Sequence, residues 1–219
     1  MTLITLAKFE TCAMVVSDDY MHVVDGEPSG CAKQFSLHHQ RTVMTGRGST
    51  GFLEAVYSRC NLSGLGFDAL ACELPSIVLW LSREHAPQLA LMQQKYMRGI
   101  EHNVVEVMLA GWSSKQNEPA IYSFAQKELG DPVVTIASPP KEGFVIVAPW
   151  TSEMGPIPTL AEIGSVEGVL TVARRQMWAL NEHCGRKTCG GTLTCTEVHR
   201  DRLVTHYLDG LEGVDELAA

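Results

Sequence analysis

The sequence predicts an α+β fold in which two sheets pack together and helices cover both outer faces. Two observations carry this. The element order runs strands, two helices, strands, two helices, strands, so helices are segregated from strands and do not alternate with them in βαβ units. The strand segments between the helical blocks are strongly apolar, as strands buried on both faces are.

The elements follow in order. Residues 3–7, 12–17 and 42–45 read as short strands, with β-branched residues in them and turn formers between them; another strand is expected after Lys33. Residues 25–30, Asp-Gly-Glu-Pro-Ser-Gly, are a turn cluster. Ser49 or Thr50 caps a helix that carries Phe52, Leu53, Val56 and Tyr57 on one face and ends in the turn-rich residues 61–66. A longer helical stretch from residue 67 to about 97 contains Pro75 and Pro87, which predicts a kink or a split. Strands return at 104–110, 120–124, 133–137 and 144–147. A second helical region, 160–183, places Val169, Val172, Ala173, Met177 and Leu180 at helical spacing, with interruptions expected at Gly164 and Gly168. Strands 191–198 and 203–208 flank a turn at His199-Arg200-Asp201-Arg202. The acidic segment past Gly210 is expected to fray. No repeat or low-complexity stretch interrupts residues 1–219, which read as one domain.

Composition narrows the function classes. A net charge of −8 argues against non-specific binding to nucleic acid or to an anionic membrane, and no basic stretch is interleaved with aromatics. The longest apolar run, 74–81, is too short to span a bilayer, and no signal-peptide pattern opens the chain, so a cytoplasmic location is expected. The seven cysteines are read as thiols, with Cys12, Cys60 and Cys72 in the core.

Other motifs read as structural. His183, Cys184, Cys189, Cys195 and His199 offer zinc-type ligands, but no C-x-x-C pair occurs, so no metal or cofactor is expected. His38 and His39, as neighbours on a strand, point to opposite faces and are expected to be solvated. Trp80 and Trp178 are expected to be packing anchors.

Several segments, in order, resemble the β-type subunits of proteasomes and the related bacterial ring proteases. Thr2 matches the nucleophile threonine, exposed once Met1 is removed. Met14-Val15-Val16-Ser17-Asp18 resembles the apolar strand that ends in an aspartate, and Lys33 falls close to the family lysine, after a slightly shorter turn. Thr42-Val43-Met44-Thr45-Gly46, then residues 49–57, resemble the strand, glycine and helix. Residues 105–112 and 119–122 resemble the central hairpin, and Cys189-Gly190-Gly191 resembles the Ser-Gly-Gly near the end. The resemblance covers about residues 2–208 and implies a four-layer αββα sandwich, an N-terminal-nucleophile (Ntn) hydrolase of peptide or other amide bonds, and a homo-oligomer, with a ring as one form. The chain departs from the pattern in two places. Trp150-Thr151-Ser152-Glu153 occupies the region of a Gly-Ser-Gly, and Arg186 and Cys189 stand where the family has an aspartate and a serine. These replacements leave a catalytically inactive assembly or binding protein as the alternative.

The chemistry implied by the resemblance is specific. A threonine hydroxyl needs a base, and an N-terminal amine, with an ordinary pKa of about 8, serves as one. A charged Lys33 beside Thr2 would keep that amine neutral and lower the hydroxyl pKa. Asp18 would hold the lysine by a charge-assisted hydrogen bond. The backbone N–H of Gly46 or Arg47 would receive the oxyanion. Taken singly, Asp18 is a turn residue, Lys33 a surface lysine and Gly46-Arg47-Gly48 a strand-to-helix turn; their order lifts the reading.

Overall fold

The structure is a computed structural model that describes residues 3–21, 29–30, 33–96, 103–150, 156, 158–163, 165–184 and 189–209. The chain opens with the hairpin β1 (Ile4–Lys8) and β2 (Ala13–Asp18), both buried along their whole length. A two-stranded ribbon follows, β3 (Tyr20–Met21) with β4 (Ser29–Gly30). Then come β5 (Gln34–Leu37) and β6 (Thr42–Arg47). A block of helices is next: α1 (Thr50–Ser63), α2 (Phe67–Glu84) and α3 (Ala86–Tyr96). Four strands succeed it, β7 (Val105–Ser113), β8 (Glu118–Gln126), β9 (Val134–Ala137) and β10 (Phe144–Ala148). The last elements are α4 (Leu160–Ile163), α5 (Val166–Cys184), β11 (Thr192–Val198) and β12 (Leu203–Asp209).

Two five-stranded sheets result, ordered β10-β1-β2-β11-β12 and β5-β6-β7-β8-β9. Every strand pairing among the described residues is antiparallel. The second sheet is built from local neighbours. The first gathers strands from the start, middle and end of the chain. Alternation along β1 explains why both of its faces are buried. Ile4 and Leu6 join Ala13, Val15, Val43, Met108 and Ile121 in one cluster, whereas Leu3 and Ala7 join Met14, Val16, Val169, Met177 and Leu180 in another. A third cluster sets Phe52, Val56, Leu70, Leu74 and Val78 of α1 and α2 against Met44, Val107, Leu109 and Phe124. Lys8 ends β1 at 2 % exposure, and its ammonium reaches β8, donating to Glu118 Oε1 at 3.0 Å and to the carbonyl of Pro139 at 2.7 Å.

Local chemistry sets the helix ends. The Ser49 hydroxyl accepts from the Phe52 N–H at 3.2 Å, and Gly64 takes the left-handed conformation after α1. The stretch from residue 67 splits at His85, just before Pro87. Pro75 stays inside α2, which runs on past it with Leu70, Leu74, Val78 and Leu81 buried in one row. Gly168 does not interrupt α5. Its N–H donates to the Ser165 hydroxyl at 3.2 Å, so it belongs to a capped first turn; Gly164 lies outside the described residues.

Three further expectations are corrected. Cys72 is exposed, because it lies on the solvent side of α2. Trp80 and Trp178 are 52 % and 46 % exposed and do not anchor the interior. His38 and His39 sit in a single 3-10 turn rather than a strand, although both are solvent-facing as expected. The acidic segment past Gly210, and most of the turn cluster 25–30, fall outside the described residues. No helix among the described residues is long and apolar enough to cross a membrane.

Candidate active site

The Asp18 carboxylate, 1 % exposed at the end of β2, gathers three donors from three parts of the chain. Its Oδ1 accepts from the Leu3 N–H and from the Lys33 ammonium, each at 2.9 Å. Its Oδ2 accepts from the Gly190 N–H at 3.1 Å. The β1–β2 register ends at Ile4↔Ser17, so Leu3 stands opposite Asp18 as a direct consequence of the hairpin. Thr2 precedes Leu3 in the chain and lies outside the described residues, as does Arg186.

Lys33 is 8 % exposed, and its carbonyl accepts from the Thr45 hydroxyl at 2.8 Å. The β5–β6 register ends at Gln34↔Thr45, which sets Lys33 opposite Gly46 one step further out. Gly46 has a steric reason to be glycine. A Cβ there would come within 2.6 Å of the Glu106 carbonyl and 2.8 Å of a Leu53 methyl. Asp18, Lys33 and Gly46 are thus neighbours, and the chain enters β1 through Leu3 on the same carboxylate.

Residues that sequence reasoning did not single out tie this corner together. The Gln34 amide nitrogen donates to the carbonyls of Val15 (3.1 Å) and Thr194 (2.6 Å) and to the Ser17 hydroxyl (3.2 Å). Its amide oxygen accepts from the Thr196 hydroxyl at 2.7 Å. Asp19 Oδ1 accepts from the Thr192 N–H at 2.9 Å. Gln176 of α5 accepts from the Thr5 hydroxyl at 3.1 Å and donates to the Pro149 carbonyl at 2.7 Å. Gln34 and Gln176 each stand between a basic and an apolar residue, a setting that carries no sequence signal of such a role.

Cys189 is buried against α5. Its sulfur lies 3.6 Å from the Met177 carbonyl and 3.7 Å from Asn181 Oδ1, and its backbone exchanges hydrogen bonds with the Asn181 amide. The link from this segment to Asp18 is made by the backbone of Gly190. On the other side of Gly46, Arg47 lies 3.5 Å from Glu106, which also accepts from the Ser123 hydroxyl at 2.9 Å. Burial pulls the Arg47 guanidinium below its ordinary value while Glu106 opposes the shift. Arg47 and Glu106 line a cleft of about 360 Å³ with Val147, Ala148, Pro149 and Trp150.

No family model and no curated relative matches the chain. Among solved structures the chain is similar to the Anbu (Gly-1) mutant from Hyphomicrobium sp. strain MC1, with a TM-score of 0.62 and 12 % identity, over 100 % of this chain and 92 % of that one. The likeness runs over the full chain and is one of α+β fold.

Proposed function

We propose that the chain is a four-layer αββα protein of the Ntn type. In this reading it is a threonine hydrolase of peptide or other amide bonds, with Thr2 as nucleophile after removal of Met1. The observation that carries the reading is the shared Asp18 oxygen. It accepts from Lys33 and from the amide that follows Thr2, which brings the ammonium and the start of β1 to one point. There the lysine would hold the Thr2 amine neutral and lower the pKa of its hydroxyl, and a backbone N–H at Gly46 or Arg47 would take the oxyanion. Self-association into a homo-oligomer belongs to this reading as part of what the family resemblance implies. The deciding experiment is hydrolysis of a fluorogenic peptide panel by the assembled protein with Met1 removed. Thr2→Ala is expected to abolish turnover with the circular dichroism unchanged, and undiminished turnover would overturn the proposal.

A second reading is favoured by Cys189. Its sulfur faces α5, in the segment where the resemblance implies a serine that supports the threonine amine. On this reading the protein is a non-catalytic assembly or binding member of the same fold. Intact mass of the purified oligomer separates the two, because a retained Met1 blocks the amine that the first reading requires.

A further inference from the structure

At the other end of the first sheet, the two hairpin turns bring together three side chains of metal-ligand type. Cys12 closes the β1–β2 turn, where its carbonyl accepts from the Phe9 N–H at 2.9 Å. His199 opens the β11–β12 turn, where its N–H donates to the Arg202 carbonyl at 2.9 Å. The register Val198↔Ala13 sets these turns side by side, and Glu197↔Met14 puts Glu197 on the same face as Cys12, two residues from Met14. The Cys12 sulfur, a Glu197 carboxylate oxygen and a His199 ring nitrogen all lie within 4.8 Å of one another.

A fourth residue completes the group. Glu197 Oε2 lies 3.0 Å from His199 Nε2, and Glu197 Oε1 lies 3.1 Å from His206 Nε2. His206 pairs with Cys195 in the β11–β12 register, so it also stands on this face. Two imidazoles therefore flank one carboxylate, with a thiol beside them. None of the four side chains belongs to the Asp18 corner. Six residues of extended chain separate Cys12 from Asp18, roughly 20 Å at the usual strand rise.

We infer that Cys12, Glu197 and His199 bind a divalent cation of the zinc class, with His206 holding the second oxygen of Glu197 from outside. Sulfur, imidazole nitrogen and carboxylate oxygen are the donors that such a cation takes. Bonds of about 2.0–2.3 Å in a tetrahedron space ligand atoms about 3.3–3.7 Å apart. Small side-chain rotations close the group from its present spacing, because both turn backbones are already fixed. Binding replaces the Cys12 S–H bond with a sulfur–metal bond and releases that proton to water; the fourth position is left to a water molecule. The cation would staple the first hairpin of the chain to the last. A carboxylate held by an outer partner is the usual support of such a site, and loss of the partner weakens binding about 10–100-fold.

The test uses the full chain, stripped with a chelator, in a Cys72→Ser background that removes the one exposed thiol among the described residues. Titration with Co²⁺ is expected to give one ion per chain with a near-ultraviolet sulfur-to-cobalt absorption that equimolar Zn²⁺ abolishes. Cys12→Ser is expected to remove that band and His199→Ala to weaken binding at least tenfold. His206→Ala is expected to weaken it about tenfold with the band kept. Absence of the band, or a band that survives Cys12→Ser, would overturn the site; unchanged affinity in His206→Ala would overturn the role given to that residue. Alkylation of Cys12 in the unsubstituted chain supplies an arm that needs no variant. Zn²⁺ is expected to slow it, and equal labelling with and without Zn²⁺ speaks against the site.

Discussion

Lys33 donates to the same oxygen of Asp18 that receives the Leu3 amide, both at 2.9 Å, so one buried carboxylate oxygen joins the ammonium to the first strand. A buried pair of this kind is a poor source of net stability but a costly thing to break, since removing one partner strands the other charge.

Asp18→Asn is therefore expected to destabilise the protein by about 3–5 kcal/mol, read from urea denaturation. Replacing both partners, with Asp18→Asn and Lys33→Met together, is expected to recover a large part of that loss. Strict additivity of the two single changes would show that the pair is not coupled.

Gly46→Ala puts a methyl group 2.6 Å from the Glu106 carbonyl and 2.8 Å from Leu53. Overpacking of this sort costs about 1–3 kcal/mol, so a lowered melting temperature is expected even where no substrate is involved. An unchanged melting temperature would mean that β6 and β7 separate there at no cost.

Gln34→Leu removes an amide that serves Val15, Ser17, Thr194 and Thr196. Each buried partner left unsatisfied costs about 1–3 kcal/mol, and the expected result is a drop in the urea midpoint larger than for Gln116→Leu in the exposed β7–β8 turn.

Burial pushes the Cys60 thiol from its ordinary 9.0 up to about 12, with Arg59 opposing, and burial with Glu197 does the same to Cys195. Both thiols keep their proton in the folded state over a range where the unfolded chain loses it. Their contribution is complete below about pH 9 and is lost as pH rises toward 12, because there the folded state binds more protons. Urea midpoints measured between pH 8 and 11 are expected to fall with pH, and to fall less steeply in Cys60→Ala. Equal slopes would remove Cys60 from the explanation.

Much of the fold was legible. The apolar runs of β1, β2, β7 and β8 gave their positions, the Ser49 cap gave the start of α1, and Pro87 gave the break before α3. These are local effects of side-chain period, capping and a missing N–H, and each is written within a few residues. The exposures of Cys72, Trp80 and Trp178 were misread because an apolar residue in a helix reveals its face only when the partner surface is known. Gln34 and Gln176 were invisible as site residues, because an amide is neutral, common, and acts here on carbonyls and hydroxyls far away in sequence.

By itself the sequence determined the α+β class, the order of its elements, and the resemblance that singled out Thr2, Asp18, Lys33 and Gly46. Only the tertiary structure decided that Lys33 and the Leu3 amide share one Asp18 oxygen, that Gly190 takes the other, and that Cys12 meets Glu197 and His199. The physical reason is register. Local periodicity says which residues alternate along a strand, but the pairing of β2 with β11, between opposite ends of the chain, selects which side chains stand together.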